Sequence, residues 1–190
     1  MAAQVQESRT PARFAYVALG VGAVVAVVLG VFGKAAHDEG HAAVLTTGFG
    51  GLATMKVYLS TVVAVLALVQ IVTALWLYGR LGSRIPRHLG VVHKTSGALA
   101  VLLSIPVAFN CLWLLGFESY NFRVAMHSIA GCVFYGAFVA KVMGLHARRA
   151  PGWLVTVAAG LVFAAIVVVV WTGAVWYVGE FGWPSTSTGE

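Results

Sequence analysis

The chain has 190 residues, of which 60% are hydrophobic and only 9% charged, against roughly 25% charged in soluble domains. Such a balance excludes a disordered chain and leaves too few charges to coat a water-soluble core. With a mean hydropathy of +0.90 it points to a bilayer, and the excess of twelve Lys and Arg over six Asp and Glu reads as a topology signal rather than a nucleic-acid footprint, since no basic tract is interleaved with aromatics.

A bilayer core about 30 Å thick needs about 20 apolar residues in helical form. Charge-free runs meeting or approaching that length occur at 14–33, 57–79, 95–117, 124–140 and 150–179. The fourth is short, but Lys141 can snorkel and let its helix continue to His146. The expected fold is therefore all-α and polytopic, with five transmembrane helices at about 14–33, 56–79, 89–116, 122–146 and 152–178. They form one bundle over 14–179, between an N-terminal tail at 1–13 and a C-terminal tail at 180–190. The first span is longer than a signal-peptide core, and Lys34 spoils a small-residue cleavage pattern, so it reads as a retained anchor.

Breakers agree with these spans. Pro86 and Pro151 precede spans three and five, where a missing N–H costs little. The stretch Gly48-Phe49-Gly50-Gly51 and the segment 117–121 read as connections. Pro106 falls inside span three and should free the carbonyl of Leu102. Cys111 and Cys132 lie in spans three and four and read as small apolar residues rather than a disulfide; no Cys-x-x-Cys-His attachment site for c-type haem occurs.

Arg9 and Arg13 precede the first span, Arg80, Arg84, Arg87 and Lys94 surround the second connection, and Arg148 and Arg149 occupy the fourth. With five spans all three regions share one side, which the positive-inside rule makes cytoplasmic. The N-terminus is then inside and the C-terminus outside, in a multi-pass protein of the cell membrane. Trp176, Tyr177, Phe181 and Trp183 suit an outer aromatic belt. Glu118 and Arg123 flank the connection between spans three and four and are expected to form a surface ion pair. Gln70 and Thr73 in span two are expected to face the bundle as interhelical hydrogen-bond partners.

Histidines stand at 37, 41, 88, 93, 127 and 146, and ionisable groups at membrane depth call for a functional hypothesis. If spans three and four form an antiparallel hairpin around Ser119, residues at equal depth have sequence numbers adding to about 238 by helix geometry. His93 and His146 give 239, and Asn110 and His127 give 237. Two polar pairs thus arise at matched depths, roughly 26 Å apart along span three at 1.5 Å per residue. Two imidazoles on neighbouring helices can clamp a haem iron, and a helix bundle can shape the slot around the porphyrin. Ser96, Gly97, Ala98 and Ala100 leave room beside His93, as Ala130, Gly131, Gly136 and Ala137 do on span four; close helix packing explains the same residues. Rotational phase separates His127 from His146 by about 100°, whereas His127 with Lys141, and Ser96 with Asn110, share a face at 14-residue spacing.

The stretches His93-Lys94-Thr95-Ser96-Gly97 and Ile105-Pro106-Val107-Ala108-Phe109-Asn110-Cys111, with His127-Ser128 and Tyr135-Gly136-Ala137-Phe138-Val139-Ala140-Lys141, resemble an uncharacterised family of actinobacterial five-helix membrane proteins. That family in turn looks like b-type cytochromes with ferric-reductase-like or ascorbate-reductase-like bundles. The likeness covers spans two to four best. It implies one or two haem b groups, with His93 and His127 matching the pattern directly and Asn110 standing where the pattern carries histidine. It also implies an electron carrier without its own reductase domain, taking electrons from quinol or a partner redox protein. Lys141 could hydrogen-bond a quinone or a haem propionate, or simply snorkel. Arg80, Arg84 and Arg87 could meet propionates or anionic lipid.

Other readings stay open. His37 and His41 in the first outer connection, four residues apart, could bind zinc or copper if helical; a metal-responsive or small transport protein would use them. A cofactor-free accessory or assembly subunit would use its histidines only to bridge helices. No nucleophile stands beside a plausible base, so no catalytic residue is assigned.

Overall fold

The computed structural model describes residues 2–36, 45–82, 84–147 and 150–185, with side chains from Ala12 onward. The chain is all-helical among the described residues. In order come α1 (Ala2–Ala36), α2 (Leu52–Leu77), α3 (Leu89–Phe109) running into a π-helical turn (Asn110–Leu115), α4 (Phe122–His146), α5 (Gly152–Val170) running through a second π turn (Trp171–Val175), and α6 (Trp176–Phe181). Five stretches are long and apolar enough to cross a membrane: Ala12–Ala36, Leu52–Leu77, Leu89–Leu115, Phe122–His146 and Gly152–Phe181. These lie within a few residues of the expected spans. The helix of the first one reaches back to Ala2, through residues expected as a tail; alanine, glutamine and glutamate there are good helix formers.

Helix ends follow local chemistry. Gly79, at φ 71°, ends α2 in a Schellman-type arrangement: the N–H of Arg80 donates to the carbonyl of Leu75 at 2.8 Å and that of Gly79 to Trp76 at 2.9 Å. Asn121 caps α4 by accepting the N–H of Val124 at 2.9 Å. Pro86 and Pro151 stand just ahead of α3 and α5, and their carbonyls accept the N–H groups of Leu89 and Leu154, each at 3.0 Å.

The chain divides into two compact units, Met1–His37 with Leu115–Val169, and Asp38–Leu114 with Val170–Glu190. In the first, α1 packs along α4. Gly22 faces Gly136 and Gly30 faces Cys132, so the two helices are antiparallel. A Cβ built at Gly22 would stand 2.5 Å from the carbonyl oxygen of Gly136, and one at Gly136 would meet that of Gly22; only glycine permits this approach. At one end, Ala15, Ala18 and Leu154 form a buried cluster with Phe14, Leu19, Met143 and Ala150 around it. At the other, Lys34 Nζ pairs with Glu118 Oε1 at 2.8 Å, and Ser128 Oγ donates to the Glu118 carbonyl at 2.9 Å. The ion pair of Glu118 with Lys34 reaches 84 residues back along the chain, a partner the sequence did not suggest.

In the second unit α2 packs along α3, and the second π turn rests on α2. Phe49, Tyr58 and Trp183 stack in sequence, with centroids 6.1 and 5.8 Å apart. Thr54 Oγ1 donates to the Ser185 carbonyl at 3.2 Å. Phe181 packs on Trp176 at 5.8 Å and on Tyr177 at 5.1 Å. The aromatic residues expected as an interfacial belt are thus gathered around the start of α2 and the end of α6.

Candidate functional site

The densest polar cluster in the spans lies between α2 and α3. Thr73 and Gln70 sit three residues apart on α2, and His93 and Ser96 three apart on α3, so each pair shares a helix face. Thr73 Oγ1 is 2.7 Å from His93 Nδ1 and 2.7 Å from the Val69 carbonyl of its own preceding turn. Gln70 Nε2 donates to the His93 backbone carbonyl at 2.5 Å and to Ser96 Oγ at 2.7 Å. Ser96 Oγ in turn donates to the Val92 carbonyl at 2.6 Å. Thr73 and Ser96 are buried, His93 and Gln70 half-buried. Gly97 completes the arrangement, because a Cβ there would stand 2.9 Å from Gln70 Oε1. Gln70 and Thr73 do serve as interhelical partners, as the sequence suggested; their partners are the residues around His93.

Asn110 occupies the far end of α3, 17 residues on, and is fully buried at 0% exposure. Pro106 breaks the regular ladder, and the π turn opens four residues later at Asn110 itself. The side chain is engaged on both sides. Nδ2 donates to the carbonyls of Leu45 at 2.8 Å and Pro106 at 2.9 Å, while Oδ1 accepts the Leu45 N–H at 3.2 Å. One amide therefore satisfies both backbone groups of Leu45, in the connection between α1 and α2, as a neighbouring strand would.

The other expected residues lie on α4, in the first unit. His127 and Lys141 are half-buried, and His146 is exposed at the helix end, its Nδ1 2.9 Å from the Val142 carbonyl. Lys141 makes no hydrogen bond or ion pair with another described residue. His93 and Asn110 are roughly 26 Å apart along α3, and His127 and His146 roughly 28 Å along α4, at 1.5 Å per residue; neither unit by itself brings two of these residues together. His37 and His41 lie outside the described residues, and among those described no three His, Cys, Asp or Glu side chains group as a metal site. Cys111 and Cys132 are free thiols. Arg80, Arg84, Arg87 and Lys94 are exposed.

The link from Gln70 and Thr73 to His93 was readable. Taking α2 and α3 as an antiparallel hairpin, the depth rule applied to spans three and four gives 166 for both Gln70 with Ser96 and Thr73 with His93. The hold of Asn110 on Leu45 had no such signal, since backbone groups carry no residue identity.

A chain of five apolar helices with a few polar clusters between them defines a multi-pass, all-helical membrane protein. A family model matches residues 15–185, and the chain belongs to that family, described as a family of unknown function, DUF6529. No curated protein and no solved structure matches the chain.

Proposed function

We propose that this protein is a b-type cytochrome-like electron carrier of the cell membrane, binding haem through His93. One observation carries the reading: a half-buried imidazole on a membrane-length helix, held at both its ring and its backbone carbonyl by α2. A lone imidazole at membrane depth is costly to keep, and an axial ligand needs this kind of fixation.

The residues fit one haem better than two. At the His93 end, Arg80, Arg84 and Arg87 are cations for propionates; His146 is a second imidazole by sequence numbering alone, and it belongs to the other unit. At the other end, the Asn110 amide is spent on the backbone of Leu45 and Pro106, so it does not fit iron ligation. Haem supplies one-electron chemistry, with the protein providing position and electrostatics. The donor class is quinol or a partner redox protein, and Lys141, half-buried on α4, is a cation that could meet a quinone oxygen. N-terminus inside and C-terminus outside is the orientation that goes with this reading.

A second reading is favoured by the same bonds. Thr73 and Gln70 already make His93 a bridge between α2 and α3, which is what a cofactor-free accessory subunit would require. A reduced-minus-oxidised absorption spectrum of detergent-purified protein from haem-replete cells separates the two. The haem reading expects a sharp b-type α-band, close to one haem per chain, and its loss in His93→Ala. A colourless protein that takes up no added hemin overturns it and leaves the accessory subunit.

A further inference from the structure

We infer that Thr73 is a positioning residue that fixes the tautomer of His93, so that the ring carries its proton on Nδ1 and its lone pair on Nε2. The inference rests on the haem reading for its purpose but not for its geometry.

Thr73 has one hydroxyl proton and two close polar neighbours, the Val69 carbonyl oxygen and His93 Nδ1, each at 2.7 Å. The Gln70 carbonyl stands further off at 3.2 Å. A carbonyl oxygen can only accept. If the proton pointed at His93, two oxygen lone pairs would face each other at 2.7 Å without a hydrogen between them. The arrangement that satisfies both contacts has Thr73 donating to Val69, as threonine commonly does within a helix, and His93 Nδ1–H donating to Thr73 Oγ1. In a neutral imidazole Nε2 is then the unprotonated nitrogen, the form in which histidine binds a metal.

The rest of the cluster holds that geometry. Gln70 spends both amide protons, on the His93 carbonyl and on Ser96 Oγ, so it places the α3 backbone against α2 while Thr73 orients the ring. Thr73 is buried at 5% exposure, which limits competition from water for the bond. Its hydroxyl therefore does for His93 what a carbonyl or carboxylate behind a ligating histidine does, fixing ring orientation and raising ligand basicity.

The test is ¹⁵N NMR of the full-length, histidine-labelled protein in detergent without added haem, with His93→Gln to assign the signal. The expected result is a pyrrole-like Nδ1 and a pyridine-like Nε2 for His93. That signature should be retained in Thr73→Ser and lost toward the Nε2–H form in Thr73→Val. An Nε2–H tautomer in the wild-type chain, or an unchanged His93 signal in Thr73→Val, overturns the inference; if Thr73→Val does not fold, the wild-type and serine signals decide it. In haem-replete preparations Thr73→Val should also lower haem occupancy and shift the midpoint potential, with Thr73→Ser restoring both. Absence of haem from every preparation defeats the cytochrome reading alone, because the tautomer is read on the apoprotein.

Discussion

Removing the amide of Asn110 would orphan the N–H and carbonyl of Leu45 together. Each buried polar group left unsatisfied costs about 1–3 kcal/mol, but Leu45 is itself 42% exposed, so water or headgroups would recover part of that. Asn110→Ala is expected to destabilise the protein by about 1–3 kcal/mol, combining the lost bonds with the small cavity left behind. Denaturant unfolding in mixed micelles measures it, and an unchanged midpoint would mean the amide contributes nothing net. The sequence marks Asn110 as a polar residue in an apolar run and suggests a cofactor position. The structure gives it a different partner, a backbone segment 65 residues away, and no pattern of residue types encodes such a bond. His93 is the opposite case. Thr73 and Gln70, which hold it, are recognisable side chains, and the i, i+3 spacing on two facing helices makes their contact with His93 recoverable from numbering.

Small residues act at the scale of whole elements. The sequence offered two explanations for Gly97, Gly131 and Gly136, room for a flat ring or close packing of helices. The structure assigns Gly136 to α1 and Gly97 to Gln70, while a Cβ on Gly131 meets nothing within 4 Å. Gly136→Ala should therefore push α1 away from α4 and cost about 1–3 kcal/mol through overpacking. Gly131→Ala, on the same helix, should be neutral or slightly stabilising, since alanine is the better helix former. The pair of variants is compared by thermal unfolding in detergent; equal melting temperatures would contradict the close approach of α1 and α4. The partner of α4 within its unit, α1, is separated from it in the chain by α2 and α3. Every helix here is apolar around most of its circumference, so hydrophobic periodicity does not say which faces meet. The ion pair of Glu118 with Lys34 follows from the same pairing: once α1 lies along α4, the lysine in its last turn reaches the connection that leads into α4.

For the whole molecule, the proposed orientation, N-terminus inside and C-terminus outside, rests on five spans and on the basic residues of the second and fourth connections. A periplasm-active reporter enzyme fused after Glu190 is expected to be active, and the same reporter fused in the Arg80–Arg87 connection inactive; the reverse pattern would invert the topology. The five spans were determined by the sequence alone, because membrane insertion depends on length and mean hydropathy, which are sums over local residues. Two helix starts came with them, since Pro86 and Pro151 act through their own backbone. The tertiary structure alone decided that α1 pairs with α4, which glycines are pressed against a neighbouring backbone, and that Asn110 holds Leu45 and Lys34 reaches Glu118. Those choices depend on steric fit and on backbone hydrogen bonds between segments far apart in the chain, and in lipid no difference in hydrophobicity between one apolar face and another announces them beforehand.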